Sequence, residues 1–402
     1  MGIRSLDPKE WLCLQSSYPS YAVLRAKRHQ IYGERSVQIL PGPVASSEAA
    51  PLSPTNPNID QHRLAALEVA RAIAWYLTNR YPSLFSAMPK GAAQRNDDGW
   101  SITSITRRDL PSTGMPEFTW RLLDEYDAQE ALKAGEHVDC PMRVAGELVP
   151  DDLAIMMPES IPAADKDAFP SGVETQYRFV AGSICTAGFW RMSDKIGLTL
   201  SDIHTSGNVP QYNTKLRAPM ERFFSKLRPE KPVERNNYFF QVLATKKPAE
   251  VKDMTELSWS HSTNGPETMY DMVAKGPSPA ALASSNSLPF TPPTPTQDPE
   301  RVVMRTERQT LRRMPRSNCI LFTIRTYLVP LTTMVEEPGV PARLASAIRS
   351  WPDDVQFYKG AELYKETVLP YLDDKADLQR RNGIESRQDD ELVESARKNY
   401  PF

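Results

Sequence analysis

Among side chains able to ligate a metal or shuttle a proton, the chain carries five histidines, His29, His62, His137, His204 and His261, and four cysteines, Cys13, Cys140, Cys185 and Cys319. No two histidines stand at HxH or HxxxH spacing and no cysteines form a CxxC pair, so no histidine cage, zinc site or iron–sulfur site is written into the sequence. The thiols read as reduced structural residues. One kind of centre needs only a single protein ligand: haem iron takes its equatorial nitrogens from the porphyrin and an axial ligand from the chain. His204 is the candidate for that role. It lies in Ser201-Asp202-Ile203-His204-Thr205-Ser206-Gly207-Asn208-Val209-Pro210, between an apolar segment and a Gly/Pro loop, where an imidazole can project from firm backbone. The competing reading is an ordinary half-buried histidine. His29, in the basic run Arg25-Ala26-Lys27-Arg28-His29, reads as part of a solvated helix face. His62, His137 and His261 read as surface residues, with His261 the alternative for a distal role.

The densest charged run is Arg305-Thr306-Glu307-Arg308-Gln309-Thr310-Leu311-Arg312-Arg313. On a strand, Arg305, Glu307 and Gln309 would share one face and Thr306, Arg308 and Thr310 the other. A carboxylate between arginines has two readings. One is a salt-bridged sheet surface. The other is a site whose arginines grip anionic groups such as haem propionates while Glu307 meets a cationic substrate. A second basic and aromatic run, Tyr212-Asn213 through Arg222-Phe223-Phe224 to Arg228, reads as an amphipathic helix with its phenylalanines in the core. No GxSxG, GxGxxG or GxxxxGK[ST] occurs, which argues against a hydrolase elbow and against a nucleotide fingerprint.

Several elements must hold these residues. Asp60 is placed to cap a helix whose Leu64, Leu67, Ala70, Ile73, Ala74 and Leu77 recur at helical spacing, stopped by Pro82. Strands are expected over 173–190, 236–242, 302–308 and 319–329, the last two joined as an antiparallel hairpin through a turn at Pro315. Leu344, Ala347, Ile348 and Trp351 mark a further helix, and an acidic, Arg-rich tail after Asp373 reads as solvated. Two stretches rich in Pro, Ser, Thr and Ala, 41–58 and 276–299, read as loops. Strands in the middle with helices on either side imply an α+β fold with an antiparallel sheet. At 402 residues and 40% hydrophobic content the chain can bury a sizeable core, and 48 basic against 50 acidic residues give no field that would draw nucleic acid or an anionic membrane. The segment Met1 to Cys13 lacks a signal-like apolar stretch, and no run approaches the roughly 18 apolar residues of a membrane span. The expected address is the cytoplasm.

The run Arg305 to Arg313 continues as Met314-Pro315-Arg316-Ser317 and then Ile320-Leu321-Phe322-Thr323-Ile324-Arg325-Thr326-Tyr327-Leu328. Together these closely resemble the signature of the haem-dependent oxidative N-demethylase family, which includes the large subunit of dimethylamine monooxygenase and many fungal proteins. The similarity continues upstream in the same order through Trp190, Lys195-Ile196-Gly197, Ile203-His204, Pro210, Tyr212-Asn213 and Arg222-Phe223-Phe224, and spans residues 59–372. The resemblance implies a PAS-like antiparallel sheet wrapped by helices, with helical extensions at both ends. It implies a b-type haem with one axial histidine, which falls on His204. It also implies oxygen-dependent removal of a methyl group from a secondary amine as formaldehyde, with electrons from a separate flavin and iron–sulfur reductase.

The resulting expectation has His204 as iron ligand, Tyr212, Arg305 and Arg312 as further cofactor-binding residues, and Glu307 and Arg308 as catalytic residues. Residues 1–58 would be an extension, 59–372 the catalytic domain with 276–299 as an insertion or lid, and 373–402 a tail. In that family the histidine is followed almost at once by a Pro-Val-Pro turn, whereas here Thr205 to Pro210 carries a short insertion. That departure leaves the small-molecule substrate open, including a larger natural product. Two other readings stand beside the oxygenase: a haem enzyme of dehydration or rearrangement, and a haem-binding sensor, whose output module is not visible in the sequence.

Overall fold

The hairpin expected around Pro315 lies at the centre of the architecture. The computed structural model describes residues 2–42, 60–90, 99–162, 173–186, 188, 190–243 and 294–384. His261, nearly all of 41–58, residues 276–293 and the end of the chain from 385 lie outside them. Among the described residues the strands are, in chain order, β1 (Arg4–Ser5), β2 (Val37–Ile39), β3 (Phe85–Pro89), β4 (Ile102–Arg107), β5 (Phe118–Arg121), β6 (Asp152–Pro162), β7 (Val173–Ser183), β8 (Val233–Val242), β9 (Val302–Arg313) and β10 (Ile320–Pro330). They make a seven-stranded antiparallel sheet, ordered β1-β8-β9-β10-β6-β7-β2, and a three-stranded sheet β3-β4-β5. With helices packed against both, the fold is α+β.

The β9–β10 register pairs Ile320 with Arg313 and Thr326 with Glu307, closing through a turn in which Met314 N–H donates to Cys319 O and Asn318 takes φ 59°. Directly paired residues point to the same side of a sheet. One face therefore presents Arg235, Asn237 and Phe239 from β8 opposite Gln309, Glu307 and Arg305 from β9, with Ile324, Thr326 and Leu328 of β10 on the far side. Toward β6 and β7 that face becomes apolar, with Ala154, Met156, Tyr177, Phe179, Leu311 and Ile320 packed against Met192, Leu200, Phe224 and Leu227. The helices that supply those residues are Met192–Lys195, Leu200–Ser206 and Arg217–Lys226. Arg313 ties the last to the sheet, its guanidinium donating to the carbonyls of Phe224 and Leu227 where the helix runs out of internal partners.

The opposite face carries the main core. Helix Gln61–Arg80, capped by Asp60 accepting from His62 and Arg63 N–H, is buried on nearly every side and rich in alanine, as a helix enclosed between layers must be. It packs with the three-stranded sheet on Leu153, Ile155, Val180, Ala181 and Leu321. At the other end of this face, helices Val340–Arg349 and Lys365–Arg381 cover Phe240, Val242 and Val302.

Some expectations change. Residues 4–39 supply both edge strands of the large sheet, and Leu6, Trp11, Leu12, Tyr18 and Ala22 belong to the same core as helix Gln61–Arg80. The basic run at His29 is not solvated: Arg25, Arg28 and His29 are 0%, 1% and 2% exposed. The chain past Asp373 stays helical to Arg381, with Ala376 and Gln379 buried and the Gln379 amide bonded to Gly339 N–H and the carbonyls of Val335 and Glu337. The solvated tail expected from 373 therefore does not begin there. Strand β6 did not stand out in the sequence at all.

Candidate functional site

His204 sits near the end of helix Leu200–Ser206, opened by Thr199, whose hydroxyl caps Asp202 N–H. Lys195 closes the helix from outside, its ammonium donating to Ile203 O at 3.0 Å and Ser206 Oγ at 3.0 Å. The imidazole Nδ1 lies 2.7 Å from Leu200 O. A carbonyl oxygen has no proton to give, so Nδ1 carries the hydrogen and Nε2 keeps the lone pair. Burial holds the His204 pKa below its ordinary value against the pull of the Leu200 carbonyl, and the charges of Arg235 and Lys195 act in the same direction as burial. The ring is thus neutral near pH 7, fixed in one tautomer, with Nε2 lacking a hydrogen-bond partner among the described residues. That is the form in which histidine binds a metal.

Tyr212 stacks flat on this imidazole, with ring centroids 4.8 Å apart and planes 9° apart. The loop between them bends sharply enough to put Asn208 at φ 51° and Gln211 at φ 57°, and Val209 N–H returns to His204 O. The Gln211 amide then reaches Asp354 on helix Asp353–Tyr358.

Arg235 links His204 electrostatically to the signature strand, since it lowers the His204 pKa and is itself offset by Glu307. Glu307, 7% exposed, accepts from Gln309 Nε2 at 2.8 Å and stands 3.7 Å from Arg305 Nε. Arg305 is fully buried and donates to Thr326 Oγ1 at 3.3 Å. Beside Glu307 comes Lys359, whose Nζ donates to Tyr238 O at 2.7 Å and lies 4.3 Å, 4.6 Å and 5.3 Å from the ring centres of Tyr238, Phe239 and Trp351. Burial presses its pKa down to about 8, with Glu307 opposing.

Alternation along β9 separates the remaining candidates. Arg308 points to the opposite face, paired with Glu234 at 2.8 Å and donating to the carbonyls of Glu10 and Trp11. Arg312 lies on that same face, its guanidinium 4.5 Å from the Trp11 ring centre. Both fasten the N-terminal segment to the sheet. The helix carrying His204 therefore packs on the face of the large sheet that presents Arg305 and Glu307, while Arg308 and Arg312 lie on the other face. His29 lies elsewhere, between Ser183 Oγ at 2.9 Å and Glu147 at 3.3 Å.

Arg235, Gln309, Lys195 and Lys359 were not selected from sequence. Arg235 was within reach of the alternation rule, but the strand was read as starting at Asn236, three residues past its first residue, Val233. Lys359 follows a short helix in a segment with no periodic signal. A surface cleft of about 520 Å³ between helices Val340–Arg349 and Lys365–Arg381 is bridged by the Arg349–Asp373 ion pair and is lined by none of these residues.

A neutral imidazole whose Nε2 keeps its lone pair, on the same side of an antiparallel sheet as Arg305, Arg235 and Glu307, fits two requirements of a haem, an axial nitrogen and guanidinium partners for its propionates. The fold is that of an α+β protein, and His204 is a histidine in the form that can ligate a single cofactor. Over residues 2–369 the chain matches, and belongs to, the family described as haem-dependent oxidative N-demethylase, alpha subunit-like. The match takes in the N-terminal segment, which the resemblance read from residue 59 onward had left outside.

Proposed function

We propose that this protein holds a b-type haem through His204 Nε2 and removes a methyl group from an amine by oxidation. The tautomer lock on His204, in a chain of this family, is the observation that carries the reading. The absence of a Cys-x-x-Cys-His motif fits a haem held without covalent attachment. When bound, the haem supplies the activation of dioxygen.

The protein's own residues do the rest. His204 stays unprotonated and correctly turned; Tyr212 limits rotation of the ring. Arg305 and Arg235 offer guanidinium groups suited to the carboxylates of a propionate. Glu307, held by Gln309, accepts an N–H from a cationic amine and so orients its methyl group. The apolar residues Phe322, Met156 and Phe179 keep the neighbouring space poor in water. In balance, a methylated amine, dioxygen, a pair of electrons and a pair of protons give the demethylated amine, formaldehyde and water. The electrons come from a separate reductase of the flavin and iron–sulfur type.

Haem-loaded protein supplied with a chemical reductant, oxygen and a series of methylated amines tests this directly. Formaldehyde should appear in step with amine consumed. A protein that binds haem yet forms no formaldehyde and consumes no oxygen with any of the amines contradicts the proposal. Oxygen-independent turnover in that same assay would instead place the enzyme among haem dehydratases or isomerases.

A further inference from the structure

Away from these residues, Arg25 on helix Tyr18–Tyr32 is a fully engaged buried charge. It is 0% exposed and every arm of its guanidinium is used. Nε donates to the Gly146 carbonyl, Nη1 to Asp152 Oδ1 at 2.7 Å, and Nη2 to Ser183 O at 3.1 Å and Ser183 Oγ at 2.7 Å. Asp152, likewise 0% exposed, opens β6. Its carboxylate also accepts from Cys185 N–H at 2.6 Å, Thr186 N–H at 2.8 Å and Thr186 Oγ1 at 3.0 Å. A buried carboxylate needs a cation and hydrogen bonds to be tolerated. Here all the bonds other than Arg25 go to one short segment, the chain leaving β7.

That segment leads to Arg305. The Thr186 carbonyl accepts from Thr326 Oγ1 at 3.4 Å, the same hydroxyl that receives Arg305 Nη2. Gly188, at φ 84°, comes so close that a β-carbon there would overlap the Arg305 guanidinium. Only glycine permits both the backbone angle and the approach.

We propose that Arg25 and Asp152 are positioning residues for the cofactor site: the N-terminal helix, through the Asp152 carboxylate, fixes Cys185 and Thr186, which with Gly188 seat Arg305 beside Glu307. The inference rests on the reading of Arg305 as a partner for a haem carboxylate.

The test uses the full chain with Asp152→Asn, Thr186→Val and Gly188→Ala, following amide exchange at Cys185 and Thr186 and haem affinity by Soret titration. Asp152→Asn should speed exchange at both amides and weaken haem affinity about tenfold, the usual size for residues that orient a metal site from outside. The Soret position should not move, because His204 is untouched. Gly188→Ala should weaken affinity to a similar degree while leaving exchange at Cys185 as in the wild type. If Asp152→Asn does not fold, Thr186→Val, which removes one of the bonds, should give the same pair of changes at smaller size. In an Arg305→Ala background the affinity loss from Asp152→Asn or Thr186→Val should vanish. Faster amide exchange with wild-type haem affinity overturns the proposal, as does an undiminished loss in the Arg305→Ala background. Failure of the unsubstituted chain to bind haem overturns the underlying reading, and is seen before any variant is made.

Discussion

At the scale of single residues, the chemistry depends on side chains whose protonation and direction are set by near neighbours. Glu307 is one. Glu307→Gln keeps the shape but loses the charge-assisted bond to a cationic amine, about 1.5 kcal/mol, so KM should rise about tenfold with the haem spectrum unchanged. An unchanged KM would assign Glu307 to packing with Arg305 instead. Lys359 makes a prediction about pH. Burial lowers its pKa from 10.5 to about 8, so between those values the unfolded chain holds a proton that the folded chain has lost. The contribution of Lys359 to stability is therefore complete above 10.5 and is lost as pH falls through about 8. Denaturant unfolding should show wild type gaining on Lys359→Met across that window, by up to about 3 kcal/mol. A flat difference would mean that the ammonium is better solvated than its surroundings indicate. These residues differed in how far they could be read in advance. Arg305 and Glu307 stood out because strand alternation alone puts them on one face. His204 gained its weight from the ordered matches around it, since nothing in its local composition discloses a bond to Leu200 O. Lys359 could not be read, because its value comes from the rings of Tyr238, Phe239 and Trp351, which meet it only in three dimensions.

Elements decide whether such residues meet. The β9–β10 hairpin was legible from its alternation and from Pro315, and the helix after Asp60 from its cap and spacing. Strand β6 was not, because its core Leu153, Ala154, Ile155 and Met156 is apolar on both faces and so lacks an alternating signal. Helix Leu200–Ser206 is too short to show a period. What holds the hairpin turn is also invisible locally: Glu68, inside helix Gln61–Arg80, accepts the backbone N–H groups of Arg316 at 2.8 Å and Ser317 at 2.7 Å. Glu68→Ala leaves both donors without that acceptor and should destabilise the protein by about 3 kcal/mol, read as a lower denaturant midpoint. A change below about 0.5 kcal/mol would show that the turn holds without it.

On the scale of the whole molecule, the large sheet separates two tasks. One face carries His204, Tyr212, Arg305 and Glu307 and their apolar surroundings; the other carries the core, with Arg308 and Arg312 joining the N-terminal segment to it. That segment was read from its sequence as an extension because β1 and β2 are two and three residues long, below what alternation can reveal. Removing residues 1–42 should therefore yield an aggregating or molten chain, seen as lost near-ultraviolet circular dichroism; a cooperatively folding remainder would contradict the shared core. The central claim, that the folded molecule holds haem through His204, is tested most directly by His204→Gly titrated with haem, with and without imidazole. The variant should lack the wild-type Soret band and recover it when imidazole fills the place of the side chain. A His204→Gly protein that shows the wild-type spectrum and stoichiometry without imidazole would contradict the account.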